Sequence, residues 1–171
     1  MKKGDLILAA LFLMIFLPFI FAESLFDQYR DLNKAYPYIL SFVKFFILAS
    51  LGEILGHRIK TGGYYLKGFG LIPRAIVWGF LGLSIKMAFV IFGQGAPHML
   101  QTMGLNFPTD NPADILETNF LTEGSWLQFL SAFTVSTTLN VFFAPVFMTV
   151  HKITDTHILM NKGKLLMCFR P

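Results

Sequence analysis

The chain has 171 residues, of which 54% are hydrophobic, 16% aromatic and only 14% charged, with twenty Phe and a formal charge of +4. A water-soluble domain of this length needs a far more polar surface, so a soluble globular class is excluded. The bases gather in clusters with no interleaved stacking aromatics, which argues against a nucleic-acid partner, and a single cysteine, Cys168, rules out an internal disulfide and a thiolate metal site.

Four apolar runs, at about residues 6–22, 38–57, 73–92 and 126–150, predict an all-α integral membrane protein: one membrane domain over 1–171, a polytopic bundle of four transmembrane helices. The first run, Leu6 to Ala22, spans roughly 26 Å as a helix. Pro18 is placed to kink or end it. Lys2 and Lys3 precede it as in a signal peptide. Ile20 and Ala22 nevertheless form a poor small-x-small cleavage pair, so an uncleaved anchor is expected.

The second run follows Tyr36-Pro37-Tyr38, with aromatics suited to a membrane interface and a proline that suits a first helical turn. At 100° per residue, Ala49, Gly52 and Gly56 share one face, beside Glu53, His57 and Lys60, while Lys44 projects from nearly the opposite side. In the third run Ala75, Gly79, Gly82 and Lys86 form a matching stripe. Small residues permit close backbone approach, so Gly52 and Gly56 are expected to pack on Gly79 and Gly82 in an antiparallel hairpin. A structural ion pair between Glu53 and Arg74 is expected at its edge.

Gly93 to Ser125 reads as the longest linker, an outer loop containing Pro97, Pro108 and Pro112. Within it, Asp110 to Asn119 predicts a short interfacial helix capped by Asn111 or Asp110. The fourth run opens at Trp126. Ser131, Thr134, Thr138, Pro145 and Thr149 line one side of it, and Ser136 and Asn140 another. The hydroxyls can bond carbonyls one turn earlier, yet so polar a stripe suits a helix facing a bundle interior.

Charge alternates along the linkers. Lys2 and Lys3 come first, then a slightly acidic segment with Glu23, Asp27, Arg30, Asp31 and Lys34. Arg58, Lys60, Lys67 and Arg74 follow without an acid, and Asp110, Asp114, Glu117 and Glu123 without a base. Lys152, Lys162, Lys164 and Arg170 face only Asp155. The positive-inside rule places both termini in the cytoplasm, and a prokaryotic cytoplasmic membrane is the expected location.

Lys44, Glu53 and Lys86 are ionisable groups within the runs, where each costs about 2.5–3.5 kcal/mol at the centre of a helix. One reading has the lysines snorkelling and Glu53 paired. The other is a solute pathway with Lys86, Asn140, Thr134, Thr138 and Lys44 as candidates, basic groups favouring anions. His151, Asp155 and His157 do not converge on one helix face, so no metal is expected. No nucleophile–base arrangement, convergent carboxylate pair or phosphate loop occurs, so neither a catalytic residue nor a cofactor is expected, and the chain does not read as an enzyme.

Three stretches together resemble the 22-kilodalton peroxisomal membrane protein family, which includes a mitochondrial inner-membrane channel protein. Leu51-Gly52-Glu53-Ile54-Leu55-Gly56-His57 is similar to its Leu-Gly-Asp first-helix pattern. Arg74-Ala75-Ile76-Val77-Trp78-Gly79-Phe80-Leu81-Gly82 is similar to its second-helix Arg followed by Gly-Phe. Asn140-Val141-Phe142-Phe143-Ala144-Pro145-Val146-Phe147 resembles its Asp-Gln-x-x-Phe-Ala-Pro-x-Phe segment. The agreement covers residues 37–150. Leu139 stands where the family has an acid, and the stretch after 150 lacks the family's last helix and its Trp-Pro…Asn-Phe signature. The resemblance implies a channel-type membrane protein. A conduit for small solutes, assembled as a homo-oligomer in the lipid bilayer because four short helices enclose little space, is therefore expected; the alternative is a non-transporting scaffold or assembly partner.

Overall fold

The computed structural model describes residues 3–64, 68–118 and 125–169, with the backbone alone for Ser125. Lys2, Lys67, Asn119, Glu123 and Arg170, which figure in the expectations above, lie outside the described residues. The described chain is all helix: α1 (Lys3–Phe21), α2 (Glu23–Ala35), α3 (Pro37–Thr61), α4 (Leu71–Thr102), a 3-10 helix (Pro112–Glu117), α5 (Ser125–Thr138), a π-helical turn (Leu139–Phe143), α6 (Ala144–Met160) and α7 (Leu165–Cys168). Four stretches are long and apolar enough to cross a bilayer: Lys3–Phe21, Pro37–Thr61, Leu71–Thr102 and Trp126–Met160. This is an integral membrane protein with four membrane-spanning helices.

Local chemistry sets most of the helix ends. Pro18 lies inside α1, which ends three residues later, where Ala22 turns to extended backbone and its N–H bonds the Pro18 carbonyl. Pro37 opens α3, and Gly62 closes it in the left-handed conformation that glycine adopts without a Cβ clash, its N–H on the Arg58 carbonyl. Asn111 caps the 3-10 helix by accepting from the Ala113 N–H, and it donates to Asp114 at 2.8 Å.

Two helices outrun their expected limits. α4 continues through Pro97 to Thr102, about 48 Å of helix, so the first ten residues of the expected loop are helical. The last crossing runs ten residues past 150, to Met160. Its π-turn ends two positions before Pro145, with the Ala144 N–H reaching back to the Leu139 carbonyl. Pro145 has no N–H to continue the regular ladder, and the inserted residue eases its ring past the preceding carbonyls.

The contacts group into two compact units, Met1–Leu83 with Thr154–Pro171, and Ser84–Ile153. In the first, α3 and α4 approach closely where Phe42 fills the space a side chain at Gly79 would occupy, and Phe45 that at Gly82. The Ser41 hydroxyl donates to the Gly82 carbonyl at 3.0 Å across this seam. The expected glycine-on-glycine packing is therefore corrected: a Cβ at Gly52 or Gly56 would meet nothing within 4 Å. The register explains it. In an antiparallel pair that sets Glu53 beside Arg74, moving eight residues along α4 to Gly82 means moving eight back along α3 to Phe45. The second unit has an apolar core of Ala88, Ala96, Val135 and Leu139, packed by Phe92, Leu116 and Phe143.

Candidate functional site

Charged side chains within the first unit converge on Arg74, in the first turn of α4. Its side chain is only 6% exposed, and three groups hold it. Nε donates to the Phe69 carbonyl at 2.7 Å, Nη1 donates to Glu53 Oε2 at 3.3 Å, and Nη1 also pairs with Asp155 Oδ1. The Phe69 ring covers the guanidinium, 4.6 Å from its centroid. Glu53 is held a second time, by the Trp78 indole N–H donating to Oε1 at 3.2 Å. A buried guanidinium requires such partners, because an uncompensated charge in low dielectric is expensive.

Beside this cluster opens a cavity of about 570 Å³. Ala49, Gly52 and Gly56 form one wall, where a single methyl and two glycines leave the room; Glu53, His57, Lys60, Arg74, Trp78 and Asp155 supply the polar groups. Two carboxylates share one guanidinium, with Lys60 and His57 alongside. The cavity thus presents both signs of charge together with aromatic surface from Phe69 and Trp78. Chemically it can hold a small polar solute through hydrogen bonds without a large net field.

A second cluster ties the start of α1 to the end of α3. Asp5 accepts from Arg58 Nε at 2.7 Å and Nη2 at 3.0 Å, a bidentate pair, and from the Tyr64 hydroxyl at 2.6 Å. The Arg58 guanidinium lies 5.4 Å from the Tyr64 ring centroid. Desolvation and the bond to Asp5 raise the Tyr64 phenol above its ordinary value. Two glycine-rich turns also meet in this unit: a Cβ at Gly70 would lie 2.7 Å from the Gly163 Cα, so the backbones touch where both residues take positive φ.

The candidate pathway residues differ in how their polar groups are satisfied. Lys44 donates to Asn33 Oδ1 at 2.9 Å and sits 5.6 Å from the Tyr29 ring centroid, both on α2. Thr134 donates to the Leu130 carbonyl and Thr138 to that of Thr134, at 2.7 and 2.8 Å, so each hydroxyl is spent on its own helix. Asn140 donates to the Ser136 carbonyl at 2.8 Å. Asn140 and Ser136 line a groove of about 550 Å³ in the second unit, otherwise walled by apolar residues such as Phe89, Leu139 and Phe143. Lys86 is half-buried on α4 and has no hydrogen bond or ion pair among the described residues.

His151, Asp155 and His157 are likewise apart in role. Asp155 belongs to Arg74, and His157 meets the Asn161 amide through Nε2 at 3.1 Å and its carbonyl at 3.0 Å. No group of three His, Cys, Asp or Glu side chains among the described residues could hold a metal ion. Sequence reasoning paired Glu53 with Arg74 but missed Asp155, Trp78 and Phe69 as their companions, and Asp5 altogether. A signal was present: Asp155 and Asp5 are acids set among bases, the pattern left when one charge is reserved for a partner distant in sequence. No protein family, curated protein or solved structure matches the chain.

Proposed function

We propose that this membrane protein is a conduit for small polar solutes, working as a homo-oligomer, with the cavity beside Arg74 as a vestibule. The observation that supports this reading most directly is a charged, glycine-walled cavity of about 570 Å³ in a unit made of membrane-spanning helices. Membrane segments keep ionisable groups where they pair with one another or line a water-filled cavity; here Glu53 and Asp155 pair with Arg74, and all three line the cavity. The resemblance to the 22-kilodalton peroxisomal membrane protein family points the same way, since Glu53, Arg74 and Trp78 fall within its first two motifs. The charge bias of the linkers favours cytoplasmic termini, and with them a cytoplasmic membrane. No chemistry beyond passage is assigned to the chain.

Reconstitution into liposomes tests the proposal. Wild-type protein should release small polar solutes, and Gly56→Leu, which adds an apolar side chain to the cavity wall at a position where a Cβ meets nothing within 4 Å, should slow that release. Lys86→Met and Thr138→Val test two of the other candidates for a path. A second reading, a non-transporting scaffold, has one observation in its favour: Gly52 and Gly56 leave open a helix face on which another membrane helix could pack. A scaffold leaves the liposomes tight, and that result would end the conduit reading.

A further inference from the structure

The acidic segment between the first two crossings is a regular helix, α2, with two distinct faces. At 100° per residue, Leu25, Tyr29 and Leu32 fall within about 60°, flanked by Asn33 and Phe26. Glu23, Asp27, Arg30, Asp31 and Lys34 occupy the other side. None of its residues is buried: Leu25 is 43% exposed, Phe26 49% and Leu32 51%.

The polar and aromatic contacts fix how this helix lies. Tyr29 meets Phe19 of α1 edge-on at 5.3 Å, and Asn33 accepts from Lys44, eleven positions further on. Eleven residues of one straight helix span about 16 Å, beyond the reach of a lysine side chain. The break at Tyr36 therefore folds α2 back across the end of α3 rather than extending it into water. Tyr29 and Asn33 run along the line turned to the protein. Leu25 and Leu32 on one side of that line, and Phe26 on the other, remain uncovered.

From this geometry we infer that α2 lies in the interfacial layer of the bilayer, its uncovered apolar flanks embedded at the boundary of headgroups and acyl chains. The bilayer is the occupant because α2 is joined to the membrane-spanning α1 and α3 by single residues, Ala22 and Tyr36, so its apolar flanks continue the lipid-facing surface of both. With three acids against two bases, its polar face gains nothing from anionic lipid, so neutral zwitterionic headgroups suffice. Lys44 takes part in this arrangement, its ammonium drawn up to Asn33 and the Tyr29 ring at the membrane edge.

Variants of the full chain, each with one cysteine added beside the native Cys168 and labelled with an environment-sensitive fluorophore in phosphatidylcholine vesicles, test this. The unsubstituted protein, carrying only Cys168, sets the background. Labels at Leu25→Cys, Phe26→Cys and Leu32→Cys should emit blue-shifted and be quenched by brominated acyl chains. Labels at Asp27→Cys, Asp31→Cys and Lys34→Cys should be quenched only by aqueous iodide. Iodide quenching at all six positions would overturn the inference by placing the helix in water. Protection of positions 25, 26 and 32 from both quenchers would also overturn it, by showing that a protein surface covers the stripe.

Discussion

Inside each of its two units, this membrane protein is held by a different means. The first relies on charged and backbone-to-backbone ties between residues distant in sequence: Asp5 with Arg58, Glu53 and Asp155 with Arg74, and Gly70 with Gly163. In the second, polar side chains such as Thr134, Thr138 and Asn140 turn back onto their own helix, and alanines, Val135 and Leu139 make the core. The contrast shows two ways of placing polar atoms in a membrane segment. A hydroxyl is satisfied locally one turn away, whereas a charge must be met by a partner from another helix.

The largest test of that contrast is Arg74→Met, which leaves Glu53 and Asp155 facing each other without their shared cation. It should lower stability by about 3–5 kcal/mol, read from denaturant unfolding in detergent, and restoring balance with Glu53→Gln and Asp155→Asn together should recover much of the loss. A null effect of Arg74→Met would mean that the cluster does not hold the first unit.

Next comes the glycine contrast. Gly82→Ala drives a methyl against Phe45, 2.6 Å from its Cβ, and should destabilise by about 1–3 kcal/mol; Gly79→Ala, against the Phe42 ring, should do likewise. Gly52→Ala meets nothing and should leave stability unchanged or raise it by up to about 1 kcal/mol. Equal losses at Gly52 and Gly82 would instead point to a partner helix on the open face.

In the second unit, Thr134→Val and Thr138→Val should shift stability by no more than about 0.5 kcal/mol, because each removes a hydroxyl bonded only to its own helix. A loss approaching that of Arg74→Met would erase the distinction between the units.

The smallest effect concerns Cys168 on α7, buried and with its thiol pushed above the ordinary value by desolvation. The thiolate is the reactive form, so alkylation near pH 7 should be slower than for a free thiol and should rise only further into the alkaline range. Maleimide labelling across a pH series measures this, and reaction as fast as that of free cysteine would show the site to be open.

Number, type and rough extent of the crossings were legible in the residues, because a bilayer demands long uninterrupted apolar helices and tolerates few other designs. The cap at Asn111, one of two candidates beside Asp110, the proline start of α3 and the self-bonding hydroxyls were legible for the same reason: each depends on neighbours within one turn. Glu53 and Arg74 could be paired from depth alone. Which glycines are packed could not, since that rests on helix register, and the register that joins Glu53 to Arg74 carries Gly82 to Phe45 and leaves Gly52 and Gly56 open. The third partner of Arg74 lies eighty-one positions away on α6, beyond any periodicity. Local chemistry thus wrote the helices, while their mutual placement, decided by packing and charge compensation between distant segments, made the cavity.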